Sequence, residues 1–267
     1  MRKGFRITIY FVAVLLLMAG AWAVFHEKPV HDLPAMLKSG KLYVVTDSSR
    51  MGFRLEGDSV YGFQYEIVKT FADQLGLTLV ITPENNFETC LKGLTNGDYD
   101  IYAGFIPVTT EWMNDIAFSD PLNTSRLVLV QKNFPDSLKR LMKNSQQDLA
   151  GDTIFVPKMS PHKLRLKHLS DEIADTIHIV EVPNVNLEQL VEWVAQGKIR
   201  QTVCDEREAR FLKLTYPQID ISLPLGFDQH YAWMVDKESK LLLQQLNDFL
   251  KDFIGSSAYW NIYRKYY

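Results

Sequence analysis

Four polar clusters follow candidate strands of this chain, and each contains side chains able to capture a charged or hydrogen-bonding group. "DSSRMGF" opens on Asp47 and includes Arg50, "GFIPVTTEW" carries Thr109, Thr110 and Trp112, "PKMSPH" holds Ser160, and "CDERE" begins after Cys204 with Asp205. A carboxylate such as Asp47 or Asp205 takes an ammonium group. Thr109 or Thr110 at a helix start leaves backbone N–H groups free for an anion, a role compatible with an ordinary N-cap. Ser160 followed by Pro161 repeats that arrangement, with proline placed for the first helical position. Asp205 also reads as a cap. The chemistry on offer is reversible capture of a small polar molecule.

Bond-breaking chemistry finds no such support. The chain has no G-x-S-x-G elbow, no H-E-x-x-H, no G-x-x-x-x-G-K phosphate loop and no paired cysteine motif. His26 and His31 sit in an N-terminal tether, and His162, His168, His178 and His230 share no metal-ligand spacing. No metal site and no cofactor are expected. Asp98 and Asp100 flank Tyr99 beside a helix end and read as caps or solvent-facing groups. No carboxylate pair has the fixed separation that glycoside hydrolysis requires, so the chain is not expected to be an enzyme.

The elements that must hold these clusters alternate strand and helix. Leu42–Thr46 reads as a strand, "YGFQYEIVKTFADQLG" as a helix with Phe63, Ile67, Phe71 and Leu75 on one stripe, and "LTLVIT" as the next strand. A helix over "NNFETCLKGLTNGD" and a strand over "YDIYAGF" complete a βα series, which implies parallel sheets covered by helices. After "FSDP" and an extended run at Leu127–Gln131 the series restarts through "GDTIFVP", "PHKLRLKHLSDEIA", "IHIVEVP", "NLEQLVEWVAQGK" and "QTVCD". A restart predicts a second lobe. In open α/β sheets ligands bind at the carboxyl ends of strands, so four clusters, two per lobe, would face one another across a cleft.

The chain has 267 residues with 46% hydrophobic content, enough for two cores, and a formal net charge of -3 from 29 basic and 32 acidic side chains. This lacks the basic footprint that nucleic-acid binding requires. The opening "MRKGFRITIYFVAVLLLMAGAWAVFHEKP" is an export signal: a basic start precedes an apolar run from Ile7 to Phe25. Small residues allow cleavage after Ala21 or Ala23, whereas the length of the run and Trp22 also suit a retained inner-membrane helix. Both outcomes place the body in a periplasm-like space. Cys90 and Cys204 are expected to be partly buried free thiols.

From about Gly40 to Tyr267 the order and spacing of "GKLYVVT", "YGFQYEIVKTFADQLGLTLVI", "LTNGDYDIYAG", "TEWMNDIAFSDP", "GKIRQTVCDEREA" and "LNDFLKDFIGSSAYWNIYRKYY" resemble the extracytoplasmic solute-binding proteins of family 3. That family includes the periplasmic amino-acid receptors of ABC transporters. "FADQLGLTLVITPENNFETCLKGLTNGDYDI" is also similar to the non-catalytic N-terminal domain of the membrane-bound lytic transglycosylases F, without their cleaving domain. The resemblance implies an α/β, two-lobed, type II periplasmic-binding-protein fold. It divides the chain into a leader (1–25), a tether and first turn (26–39), lobe 1 (40–128 with 228–267) and lobe 2 (129–227). The "FSDP" turn would cap lobe 1 before a two-strand hinge, with crossings near Leu127–Gln131 and Leu223–His230.

The same resemblance implies ligand contacts. The position of the receptors' carboxylate-clamping Arg falls on Trp112, which cannot replace a guanidinium. Their amine-binding carboxylate falls on Asp205, and their second-lobe Gly plus hydroxyl pair on Met159 and Ser160. Arg50, Arg54 or Arg126 then replaces the lost cation, or the ligand is larger or less acidic. The expected site is Asp47, Arg50, Thr109, Thr110, Trp112, Ser160 and Asp205, closing over an amino acid, a short peptide or a muropeptide. Expected partners are an inner-membrane permease or a cell-wall enzyme, with the chain a monomer. The alternative function is a membrane-tethered regulatory or scaffolding module of peptidoglycan metabolism.

Overall fold

A computed structural model describes residues 31–267. The first sheet is ordered β4 (Thr78–Pro83), β1 (Lys41–Thr46), β5 (Ile101–Pro107), β13 (Gln229–Asp236) and β6 (Ile116–Phe118), and β7 (Asn123–Ser125) also pairs with β13. β4, β1 and β5 are parallel, and β13 runs antiparallel to β5. The second sheet is ordered β10 (His178–Val182), β9 (Thr153–Pro157), β11 (Gln201–Asp205), β8 (Leu127–Lys132) and β12 (Ile219–Asp220). Again three parallel strands meet one antiparallel strand, here β8 against β11. The molecule is the expected two-lobed α/β fold, with each lobe built on the same plan.

Strand alternation explains why each sheet is covered on both faces. Leu42, Val44, Ile101, Ala103, Trp233 and Val235 enter one core, which is closed by α2 (Phe63–Gln74), α7 (Lys240–Phe253) and α8 (Ser257–Tyr266). The intervening Val45, Tyr102 and Met234 enter another, against Phe87, Cys90 and Leu94 of α3 (Phe87–Asn96). In the second sheet Leu127 and Leu129 face one core, while Val128 and Val130 face the other. α4 (His162–Glu172), α5 (Leu187–Ala195) and α6 (Glu206–Thr215) supply the covering helices. A short helix α1 (Leu33–Ser39) and a small hairpin, β2 (Arg54–Glu56) with β3 (Ser59–Tyr61), complete the elements named here.

The "FSDP" turn locks onto β13. The Ser119 hydroxyl accepts the Trp233 N–H at 3.1 Å, the Ser119 N–H donates to the Trp233 carbonyl, and the Asp120 N–H donates to the Asn247 side chain. Trp233 is fully buried and donates its indole N–H to Gln64 at 2.6 Å. The chain then passes through β7, paired with the start of β13, directly into β8. Leu127–Lys132 lies wholly within the second sheet, so the outgoing crossing precedes the expected one.

Other expectations change with the tertiary contacts. Asp100 is buried, not solvent-facing: it accepts the Tyr43 N–H at 2.8 Å and pairs with His31, anchoring the tether's end beside β1 and β5. Both cysteines are free and fully buried. The inner-membrane anchor is corrected: among the described residues no helix is long and apolar enough to cross a membrane. The run from Ile7 to Phe25, on which that expectation rested together with signal cleavage, lies outside the described residues.

Candidate functional site

The ends of β1, β5 and β9 converge with the starts of α3, α4, α5 and α6 on one pocket of about 90 Å³ between the lobes. Asp47 enters it immediately after β1. Its Oδ1 accepts the Ser49 N–H at 2.9 Å, and its carbonyl accepts the Phe53 N–H at 3.0 Å. This tight turn needs glycine at 52, where a Cβ would stand 2.3 Å from the Asp47 carbonyl oxygen and 2.6 Å from Oδ1. From the same lobe come Asn85, which accepts the Ser48 N–H, and the rings of Phe87 and Tyr102.

Lobe 2 faces them with Ser160, His162, Asn186 and Glu208. The chain leaves β9 through Met159, which holds a left-handed φ of 60°. A side chain there costs roughly 1–2 kcal/mol of backbone strain, and the Met159 N–H is secured by Glu181 at 2.8 Å. Ser160 Oγ accepts the His162 N–H at 3.3 Å, but α4 begins at His162, so Pro161 rather than the expected Ser160 takes the N-cap position. The His162 imidazole is only 7% exposed, makes no hydrogen bond to the described residues, and is pulled down to about 4 by burial.

Glu208 is 7% exposed, and its carboxylate lines the pocket. Burial first, then the charges of Asp47, Asp205 and Glu188, push it well above the ordinary carboxylate range. Asp47 is also raised by burial, opposed by its bonds to Ser49. Lys158 is the lysine on this pocket wall, and its side chain is exposed.

The lobes are held together at the pocket's edge. The Arg50 N–H donates to Glu188 Oε2 at 2.9 Å, Arg50 Nη1 donates to Thr215 at 3.0 Å, and Asn186 Nδ2 donates to the Ser48 carbonyl at 3.1 Å. Glu188 Oε1 also lies 3.6 Å from Arg50 Nε and 3.5 Å from Arg54 Nη1. This is a closed arrangement.

Of the residues singled out from sequence, Asp47 and Ser160 share the pocket wall, and Arg50 sits in the latch. Thr109, Thr110 and Trp112 do not line this pocket. The expected anion-binding helix after Thr109 is corrected to one three-residue 3₁₀ turn, Thr110–Trp112, without a side-chain cap. "TEWMND" lacks an apolar stripe, and the chain turns into β6 instead. Trp112 packs edge-on against Phe87 with centroids 5.4 Å apart, and it borders a separate recess of about 120 Å³ with Met159, Ser160 and Lys163.

Asp205 lies beneath the start of α6, where Oδ1 accepts the Arg207 and Glu208 N–H groups at 3.0 and 3.1 Å. Its Oδ2 is buried without a hydrogen-bond partner, and burial raises its pKa. None of the three candidate replacement arginines is free: Arg50 and Arg54 meet Glu188, and Arg126 donates to Glu206 at 2.7 Å.

The model of the bacterial extracellular solute-binding proteins, family 3, matches residues 41–267. The chain belongs to that family. It is therefore a solute-binding protein rather than an enzyme. The membrane-bound lytic murein transglycosylase F of Desulfosudis oleivorans is 27% identical over 263 residues, 98% of this chain and 56% of the relative. The chain spans about half the length of the curated relatives it matches. An ancestral arginine-binding protein bound to arginine superimposes with a TM-score of 0.72 at 23% identity, over 85% of this chain and 98% of that one. A mutant arginine-binding protein from T. maritima gives 0.72 at 22% identity, over 87% and 97%. At these identities the structural likenesses establish the two-lobed fold.

Glu208, His162 and Glu188 were missed from sequence. A signal for Glu208 existed: Asp205 and Glu208 have the spacing of a helix N-cap and its third residue, and the "CDERE" segment opens a ten-residue helix.

Proposed function

We propose that the cleft closes over a small polar solute whose cationic group lies between Asp47 of one lobe and Glu208 of the other. The observation that carries this reading is a pair of carboxylates from opposite lobes on one pocket wall, with Glu208 nine-tenths buried and without an ion pair. A buried carboxylate is costly unless a cation or hydrogen bonds compensate it, and a solute amine or guanidinium supplies both. Ser160, Asn85 and the unpartnered His162 imidazole offer neutral contacts, and Lys158 offers a cation for an acidic group. The closed pocket is far smaller than the roughly 300–1,000 Å³ of ordinary ligand sites, so entry requires the latch through Glu188 to part. Closure then follows from tighter contact with the solute in the closed state.

Amino acids and short peptides with a basic group fit this chemistry. The lytic murein transglycosylase relatives support adding murein-derived peptides, with a cell-wall enzyme as recipient; the fold shared with an amino acid ABC transporter substrate-binding protein of Streptococcus pneumoniae supports delivery to a permease. Calorimetry of the purified protein against basic and neutral amino acids, short peptides and muropeptides tests the reading. A cation-bearing solute should bind, and Glu208→Gln should weaken it at least about tenfold, the loss of one charge-assisted contact. Equal affinity in Glu208→Gln, or binding confined to solutes without a cation, refutes it. Asp205→Ala in the same assay separates the pocket from the carboxylate beneath α6.

A further inference from the structure

A second recess, of about 700 Å³, shares no lining residue with the cleft pocket. Its walls come from Tyr263 and Tyr267 on the α8 side, from Arg207 and Arg210 of α6, and from the crossing segments at Ser125, Arg126 and Asp228. Both lobes and both crossings therefore border one volume, of the size that small-molecule sites occupy.

Its polar groups are unevenly matched. Glu206 is shared by two arginines: Oε2 accepts from Arg126 Nε at 2.7 Å, and Oε1 accepts from Arg210 Nη2 at 2.6 Å. Arg207 points no hydrogen bond or ion pair from its guanidinium at any described residue, so its N–H fork is available. Ser125, 6% exposed, and Tyr267 both line the recess with buried hydroxyls that make no well-formed hydrogen bond, the Ser125 hydroxyl having the Asp205 carboxylate as its neighbour. Behind them Asp205 Oδ2 and the Tyr231 hydroxyl are also buried without a well-formed hydrogen bond. Burial raises the Asp205 pKa, opposed first by the Ser125 hydroxyl, then by the N–H groups of Glu208 and Arg207 and by the Arg207 charge. Unsatisfied buried polar atoms are rare in folded proteins and call for a missing partner; here the excess is of donors beside an unpaired guanidinium.

We propose that this hinge recess is a second ligand site, for the oxyanion of a carboxylate- or phosphate-bearing small molecule, and that its occupancy is coupled to lobe closure. The anion takes the Arg207 fork and the Ser125 and Tyr267 hydroxyls. Because Arg207 belongs to lobe 2 and Tyr267 to lobe 1, an occupant touching both favours the lobe arrangement in which both reach it, and solute affinity in the cleft changes by the same factor.

The full chain is titrated calorimetrically with inorganic phosphate and, separately, with glucuronate, so that the two oxyanion sources are distinguished. Saturable binding of at least one probe is expected. Arg207→Ala should weaken it at least about tenfold, and a cooperative melting transition in the variant shows that the fold survives, although Asp205 loses the charge that eases its burial. Ser125→Ala should weaken it less, and Glu208→Gln in the cleft should leave it intact. Failure of both probes to bind, equal affinity in Arg207→Ala, or equal weakening by Glu208→Gln overturns the site, the first of these meaning that water alone fills the recess. A bound probe that leaves the inter-lobe distance in solution scattering unchanged overturns the coupling.

Discussion

Glu188→Ala tests whether the lobes are latched where the structure places the latch. The substitution removes the acceptor of the Arg50 N–H at 2.9 Å, a hydrogen bond to an almost buried carboxylate, worth about 1.5–3 kcal/mol. It also removes the contacts at 3.6 and 3.5 Å to the Arg50 and Arg54 side chains, which are 37% and 41% exposed. Solvent screens such pairs to about 0.2–1 kcal/mol each. Against these losses stands one gain, because the Glu188 charge raises both Asp47 and Glu208, and its removal eases that repulsion. The net expectation is roughly 1–3 kcal/mol against the closed state, or about 5- to 150-fold in the ratio of closed to open molecules. Solution scattering of the solute-free protein, with energy transfer between dyes on Lys167→Cys and Lys251→Cys, reads that ratio. The buried Cys90 and Cys204 will not compete for label. Scattering and transfer efficiency identical to the parent protein would show that Glu188 does not hold the lobes.

The pH dependence of stability should combine two opposite slopes. Burial pulls the folded-state pKa of His162 down to about 4 from an imidazole's ordinary 6.5. The unfolded chain therefore takes up that proton first, and stability falls as pH drops from about 6.5 to about 4, by up to roughly 3 kcal/mol. The folded-state pKa values of Asp47, Asp205 and Glu208 are raised, so their cost is present at neutral pH and relieved as pH falls. In urea titrations His162→Gln should lose less stability on acidification than the parent; parallel curves would rule His162 out. Trp233→Phe, which deletes the buried donor to Gln64 at 2.6 Å, should cost about 1–3 kcal/mol, read as a lower urea midpoint, and a change below half of one kcal/mol would contradict it. Thiol reagents should label neither Cys90 nor Cys204 until denaturant is added, since burial raises both thiols and excludes the reagent. Prompt labelling of the native protein would show that these cores open readily.

Much of the architecture was legible because it is local. The stripe Phe63, Ile67 and Phe71 on α2, the Asn96-Gly97 stop after α3, and the short apolar run Ile101–Pro107 each follow from a pattern held within a few residues. Where local signals were weak the reading went astray. "TEWMND" promises a helix from one possible cap and folds as a single 3₁₀ turn, whereas Asp205, which also reads as a cap, does open a helix. Asp100 looked like a surface cap because nothing near it in sequence shows that the Tyr43 N–H and His31 converge on it.

By itself the sequence determined the α/β alternation, the restart that makes a second lobe, and the strand ends on which Asp47 and Ser160 stand, since side-chain period and chain order need no distant partner. Tertiary structure alone decided that Glu208 faces Asp47, that Glu188 receives Arg50 from a segment 138 residues away, and that Trp112 packs on Phe87 outside the main pocket. Charge and burial at those positions are properties of the space between two lobes, and that space exists only once both sheets have formed and closed on each other.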